Sequence, residues 1–253
     1  MIITFLGTGT SQGVPVIGDN CEVCLSADTH DKRLRSSILI EADDKTIVVD
    51  SGPDFRYQML RANVQHLDAI VFTHEHKDHV AGMDDIRAFN YKQNGPVDIY
   101  ADERVQKALR REFPYIFDDK GIPGIPQINL NTISLTPFVV GSVHFTPIQV
   151  MHYKLPVLGF RIKDFTYITD AKTVSVDEKE KIRGTKILVI NALQKDKHIS
   201  HFTLAEAIAF AQDIGAETTY FTHISHRLGK HADVSKELPA GIELAYDGLQ
   251  ITI

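Results

Sequence analysis

Between positions 74 and 79 the chain reads His-Glu-His-Lys-Asp-His, directly after the apolar run "AIVFT". A single histidine in a polar loop is usually solvated, but His74, His76, Asp78 and His79 concentrate three imidazoles and a carboxylate in one short window. Neutral imidazole suits zinc, iron and manganese, and a carboxylate compensates the charge of the cation. His74 and His76 are expected to project from one side of an extended turn. Asp78 and His79 follow where a helix begins, so the window offers ligands to two adjacent metal ions.

A metal pair needs further donors, and the same local pattern recurs. Apolar runs end in one donor at His152 after "FTPIQVM", at Asp170 after "FTYIT" and at His223 after "TTYFT". If these runs are strands of α/β sheets ending at one edge, they bring the donors together with His74, since active-site groups gather at the carboxyl ends of such strands. A second set stands near the start, where Cys21 and Cys24 have C-x-x-C spacing. In a reducing compartment that spacing points to metal or redox chemistry rather than a structural disulfide. The motif does not open a helix in a βαβ unit, which disfavours a thioredoxin-like pair.

The elements that must position these donors are short. "IITFLG", "SSILIEA", "TIVVD", "AIVFT", "VDIYA", "VHFTPIQV", "LGFRI", "FTYIT", "KILVINA", "TTYFT" and "LQITI" have strand character. Between them "DFRYQMLRAN", "HVAGMDDIRAFN", "DERVQKALRREF", "SVDEKEKIR" and "FTLAEAIAFAQDIG" have helical apolar spacing, and Thr203 with Glu206 forms a capping box at the start of the last. The Gly- and Pro-rich stretch from Pro114 to Pro137 is expected to be a surface loop. The 253 residues, 43% of them hydrophobic, suffice for one α/β domain spanning 1–253.

Charge narrows the partners. The formal net charge is −6 and no Lys/Arg stripe is present, which makes nucleic acid an unlikely partner. The start lacks the basic and apolar regions of a signal peptide and no window is long enough to span a membrane, so a cytoplasmic location with no membrane contact is expected.

The arrangement H-x-H-x-D-H followed by separate His, Asp and His residues resembles the metallo-β-lactamase superfamily of hydrolases over nearly the whole chain. The resemblance implies a four-layer αββα sandwich with a dinuclear centre in the cleft between its sheets. In it His74, His76 and His152 would hold one metal, Asp78, His79 and His223 the other, and Asp170 would bridge them. His76 stands where the redox diiron branch usually has Glu, which favours hydrolysis. "TIVVDSG" resembles the early Asp-x-Gly turn of the superfamily, so Asp50 is a candidate to orient a ligand; a strand-ending turn at Gly52 is the plainer reading.

Within the superfamily, "LGTGTSQGVPVIG", "CEVC", "HISHFTLAEA" and "FTHISH" resemble the family of phosphodiesterases that open phosphoribosyl 1,2-cyclic phosphate in the carbon-phosphorus lyase pathway. That family places a structural zinc on a cysteine-rich loop and the second His of T-H-I-S-H, and Cys21, Cys24 and His226 match. Asp19 stands where the family has a third cysteine, which leaves two alternatives open, a mixed Asp-Cys-Cys-His zinc site and two reduced cysteines in an ordered loop without metal. His201 matches the family's general acid. The function implied is hydrolysis of a small, cyclic phosphodiester by water activated between two divalent cations, zinc or manganese, with iron or nickel also compatible. Asp78 and His201 would act in catalysis, and His201 would protonate the departing oxygen. Lys154, Arg227 and Lys230 are candidates to grip the substrate by charge alone, and a homodimer is a family-level expectation. A ribonuclease Z-like nuclease and a metal-stabilised binding protein without turnover are the alternatives.

Overall fold

The computed structural model describes residues 1–118 and 123–253. The first sheet is built from β1 (Ile2–Gly7), β2 (Ser37–Ala42), β3 (Lys45–Val49), β4 (Ala69–Val71), β5 (Val97–Ala101) and β6 (Ile128–Thr132). Then come β7 (Phe138–Val140), β8 (Val143–His152), β9 (Leu155–Ile162), β10 (Phe165–Tyr167), β11 (Thr173–Val174), β12 (Ile187–Asn191), β13 (Thr218–Thr222) and β14 (Ile242–Leu244), which form the second sheet. The last strand, β15 (Gln250–Thr252), returns to the first sheet beside β1. Strand order is β15-β1-β2-β3-β4-β5-β6 in one sheet and β11-β8-β9-β10-β12-β13-β14 in the other, with β7 on β8.

Each sheet is buried on both faces, and single strands show why. In β2, Ile38 and Ile40 enter the layer between the sheets, while Leu39 faces the helices outside. In β12, Val189 points inward and Leu188 and Ile190 point outward. Alternate side chains leave opposite faces of a strand, so a run of apolar residues requires cover on both sides. Over the first sheet that cover comes from α1 (Phe55–Arg61), α3 (Arg87–Gln93) and α4 (Glu103–Glu112), through Phe55, Met59, Phe89, Val105 and Leu109. Over the second it comes from α6 (Val176–Ile182) and α7 (Leu204–Ile214), through Ile182, Ala207, Phe210 and Ile214. Each of these side chains other than Ala207 contributes about 1.5–3 kcal/mol on burial. The order of layers is therefore helices, sheet, sheet, helices, the expected αββα sandwich. Short helices α2 (Lys77–Val80), α5 (Pro114–Phe117) and α8 (His231–Val234) complete the set.

Two expectations need correction. The stretch from Pro114 to Pro137 is not a plain surface loop, because α5 and β6 lie within it and β6 pairs in parallel with β5; part of it, 119–122, lies outside the described residues. The segment "HVAGMDDIRAFN" is not one helix but α2, a 3-10 turn and α3. Its break has a steric cause. A Cβ on Gly82 would lie 2.1 Å from the Gly52 oxygen, and one on Gly52 would lie 2.1 Å from the Asp78 oxygen. The turn after β3 thus packs backbone to backbone against α2, joined by Ser51 N–H to His79 O and Gly82 N–H to Ser51 O, both 2.8 Å. Among the described residues no helix is long and apolar enough to cross a membrane.

Candidate metal centre

Strand direction gathers the donors. β3, β4 and β5 run parallel, as do β10, β12 and β13, and β8 points the same way as β10 because both are antiparallel to β9. Asp50 and His74 follow the ends of β3 and β4, His152 ends β8, Asp170 follows β10 and His223 follows β13. His76, extended at φ −62° and ψ 148°, caps α2, whose first turn carries Asp78 and His79. The backbone turns sharply at three of these positions: Asp50, Asp170 and His223 have φ of 64°, 59° and 55°.

The donors meet around Asp170. Its Oδ2 lies 3.3 Å from both His79 Nε2 and His223 Nδ1, and Asp78 Oδ2 lies 3.2 Å from the same His79 nitrogen. His74 Nε2 is 3.1 Å from His76 Nδ1, and the His76 and His152 rings are 5.2 Å apart. His201 joins them, with its ring 4.4 Å from His152 and 4.8 Å from His223 and its Nδ1 3.8 Å from Asp170 Oδ1. Three overlapping sets, His74–His79–Asp170, Asp78–His79–His223 and His152–Asp170–His201, each have donor atoms within 4.8 Å of one another and could hold a metal ion. Six of the seven donors expected at a metal pair fall in these sets, His76 lies beside His74 but in none of them, and the grouping differs from the one the resemblance implied. His79 stands with His74 as well as with Asp78, and His201 is itself in a donor set.

The electrostatics fit cations. Burial disfavours the charged form of His74, with His79 adding to the effect, and holds it well below the usual histidine range. His79 departs the other way: burial opposes its charge, yet Asp78, Asp50 and Asp170 raise it well above that range. Burial would also raise Asp170, but His223, His79 and His74 bring it well below the carboxylate range. His79 Nδ1 lies 2.7 Å from Asp50 Oδ2, so this nitrogen carries the proton it donates. The buried Nε2 has no hydrogen-bond partner and faces two carboxylates. A proton or a metal ion resolves that arrangement, and imidazole with carboxylate is a fitting donor set for zinc or manganese.

Asp50 reaches a second histidine too. It accepts from Thr73 N–H at 2.8 Å and from the Thr73 hydroxyl at 2.7 Å, and that hydroxyl lies 2.9 Å from His74 Nδ1. With its own proton given to Asp50, the Thr73 oxygen accepts from His74 Nδ1–H and leaves Nε2 of His74 free to bind a cation. His152 Nδ1 lies 2.9 Å from the Ser200 carbonyl and is oriented likewise.

The second set of donors also assembles. Donor atoms of Asp19, Cys21 and Cys24 lie within 4.8 Å of one another, and His226 Nε2 is 3.4 Å from Asp19 Oδ2. The backbone N–H of Cys21 donates to Asp19 and lowers its pKa, with His226 adding to this, while burial pushes the Cys24 thiol up. Between this loop and His201 lies a cavity of about 430 Å³, lined by Gln12, Gln194, His198, His226 and Arg227 among others. His198 is half-buried on this wall with its ring 5.2 Å from His201. Arg227 faces the cavity. Lys230 instead pairs with Glu22 at 3.1 Å, and Lys154 stacks over Tyr153, beside His152.

The Beta-lactamase superfamily domain matches residues 45–224, which contain every donor around Asp170. A crystal structure described as a new diphosphatase from the PhnP family superposes with a TM-score of 0.93 at 38% identity, covering 100% of this chain and 97% of that one. The chain belongs to the PhnP family of the metallo-β-lactamase superfamily. Zinc-bound PqqB from Methylobacterium extorquens shares the superfamily fold, with a TM-score of 0.80 at 20% identity over 100% of both chains. An octanoyltransferase of Porphyromonas gingivalis is 39% identical over 251 residues, 98% of this chain but 51% of that protein. The chain thus spans about half the length of this curated relative.

Proposed function

We propose that this PhnP-family protein is a dinuclear metal-dependent phosphodiesterase acting on a small, cyclic phosphodiester. The observation that carries the reading is that Asp170 belongs to two of the three donor sets, with His74 and His79 in one and His152 and His201 in the other, which suits one carboxylate bridging two cations. His74, His76 and His152 would hold one cation and Asp78, His79 and His223 the other, with zinc or manganese the best match. Bound there, the pair supplies a water acidified to near neutrality and positive charge for the phosphoryl oxygens. The chain supplies the rest. Asp50 and Thr73 hold the ligand tautomers, the buried ring of His79 excludes bulk water, and Arg227 offers a guanidinium to an anion in the cavity.

His201 is the donor of the proton for the departing oxygen. Burial pushes it down to about 3, Asp170 opposes this, and the neighbouring His223 and His152 add to it, so the resting ring is neutral at pH 7. The negative charge of an entering phosphodiester favours the imidazolium and raises that value. A cavity of about 430 Å³ suits a ligand of a few rings rather than a polymer. Asp19, Cys21, Cys24 and His226 would hold a separate structural zinc, distant in chemistry from the reaction but adjoining the cavity wall.

The relative described as a diphosphatase favours a second reading, in which the bond broken is a diphosphate rather than a diester. Both reactions displace an oxygen at phosphorus, and they differ in how much the leaving group needs a proton. Metal analysis and turnover of bis(p-nitrophenyl) phosphate, a cyclic alkyl phosphodiester and a nucleoside diphosphate separate the readings. The first is supported by two catalytic metals per chain and cleavage of the diesters, with Asp170→Asn losing metal and activity together. Full activity with one such metal, or turnover of the diphosphate alone, overturns it.

A further inference from the structure

The strand between those that end in Asp170 and His223 is β12, and it ends in an amide rather than a metal donor: Asn191. This side chain is fully buried. Its Oδ1 accepts the Ala171 N–H at 2.7 Å and its Nδ2 donates to the Ala171 carbonyl at 2.9 Å, so one planar amide grips both polar groups of the residue after Asp170. The Ala171 carbonyl also accepts from the Phe202 N–H at 2.9 Å, and Phe202 follows His201. The backbone of Asn191 pairs with Thr222, the residue before His223.

We propose that Asn191 is a positioning residue: through the Ala171 backbone it fixes where the Asp170 carboxylate and the His201 ring stand relative to each other. This rests on the roles given above to Asp170 as shared ligand and His201 as proton donor. Asp170 holds a left-handed backbone conformation that a non-glycine residue keeps only when its surroundings enforce it. The bond from Ala171 N–H to Asn191 is the enforcement on its C-terminal side. The same clamp aims the carbonyl that anchors Phe202, so a shift at Ala171 moves ligand and acid together. Leucine has nearly the shape of asparagine but neither polar group, and would leave the buried Ala171 N–H without an acceptor. Aspartate keeps the acceptor and loses the donor.

A plain structural role predicts lower stability with the centre unaltered; a positioning role predicts changes in the centre. Metal-stripped wild type, Asn191→Leu and Asn191→Asp should be titrated with zinc against a chelator. Loss of groups that orient metal ligands costs about 10–100-fold in affinity, and that range is expected for Asn191→Leu, with a smaller loss for Asn191→Asp. Turnover of a cyclic alkyl phosphodiester should then be compared with and without His201→Ala. If Asn191 acts through His201, the loss caused by Asn191→Leu shrinks by about tenfold in the His201→Ala background, since residues acting as a unit are not additive. Wild-type zinc affinity together with equal losses in both backgrounds overturns the proposal. So does an Asn191→Asp protein binding zinc as tightly as wild type or tighter, which would put charge, not the donated hydrogen bond, in control; this variant also decides the matter should Asn191→Leu fail to fold. Wild type that takes up zinc but cleaves no diester refutes the phosphodiesterase reading alone, and the zinc affinities still decide on Asn191.

Discussion

Replacing Asp50 by Asn should reverse the proton on two histidines at once. Asp50 accepts three hydrogen bonds, from Thr73 N–H, the Thr73 hydroxyl and His79 Nδ1. Asparagine has one oxygen, and that oxygen must stay on the Thr73 N–H, because the other orientation buries two donors face to face. Its NH2 group then sits where Oδ2 was and donates toward His79 Nδ1 and the Thr73 hydroxyl. His79 must move its proton to Nε2, the atom facing Asp78 and Asp170, and Thr73 is freed to donate to His74 Nδ1, which puts a proton on His74 Nε2 as well. Both nitrogens expected to bind metal are thereby blocked, although no ligand has been changed. Outer hydrogen-bond partners of this kind are worth about 10–100-fold in metal affinity, or about 1.4–2.7 kcal/mol. With two ligands affected, the upper end is expected. The assay is competitive zinc titration of stripped protein, with nitrogen-15 NMR of the histidines reporting the tautomers. Zinc affinity within twofold of wild type, or unchanged tautomers at His74 and His79, refutes the reasoning.

His201→Ala is expected to cut turnover of a cyclic alkyl phosphodiester by about a hundredfold or more and that of bis(p-nitrophenyl) phosphate far less, because p-nitrophenolate leaves without a proton. Equal losses with metal content unchanged would assign His201 to substrate positioning, and loss of metal would make it a ligand, as its place beside His152 and Asp170 allows. Cys21→Ser, Cys24→Ser protein should lose one zinc per chain and melt at a lower temperature while the Asp170 centre keeps its metals. An unchanged zinc count and melting temperature would show that the loop holds no structural ion.

The site was easier to foresee than its support. His74, Asp170 and His223 each follow an apolar run that only a strand buried on both faces requires, so their meeting at one edge followed from direction alone. Which donors pair with which depends on sheet twist and on the left-handed turns after the strands, and neither has a local signature; His79 therefore stands closer to His74 than the motif suggested. β6 escaped because "INLNT" is an edge strand with two asparagines, whose polarity reads as loop until β5 supplies a partner. Asn191 had no signal other than ending a run like those before Asp170 and His223.

The left-handed backbone at Asp50, Asp170 and His223 is local strain that the packed, hydrogen-bonded side chains hold in place. Such conformations cost a non-glycine residue about 1–3 kcal/mol, least for Asp, and glycine adopts them freely. At these positions the substitution that relaxes the chain is also the one that deletes the functional group. Glycine there would relieve the backbone but empty a buried position and leave donors such as Thr73 N–H and His79 Nδ1 without an acceptor, so the relief does not become a gain in stability. Stabilising this protein means leaving the ends of β3, β10 and β13 untouched and seeking improvement in the outer helices instead.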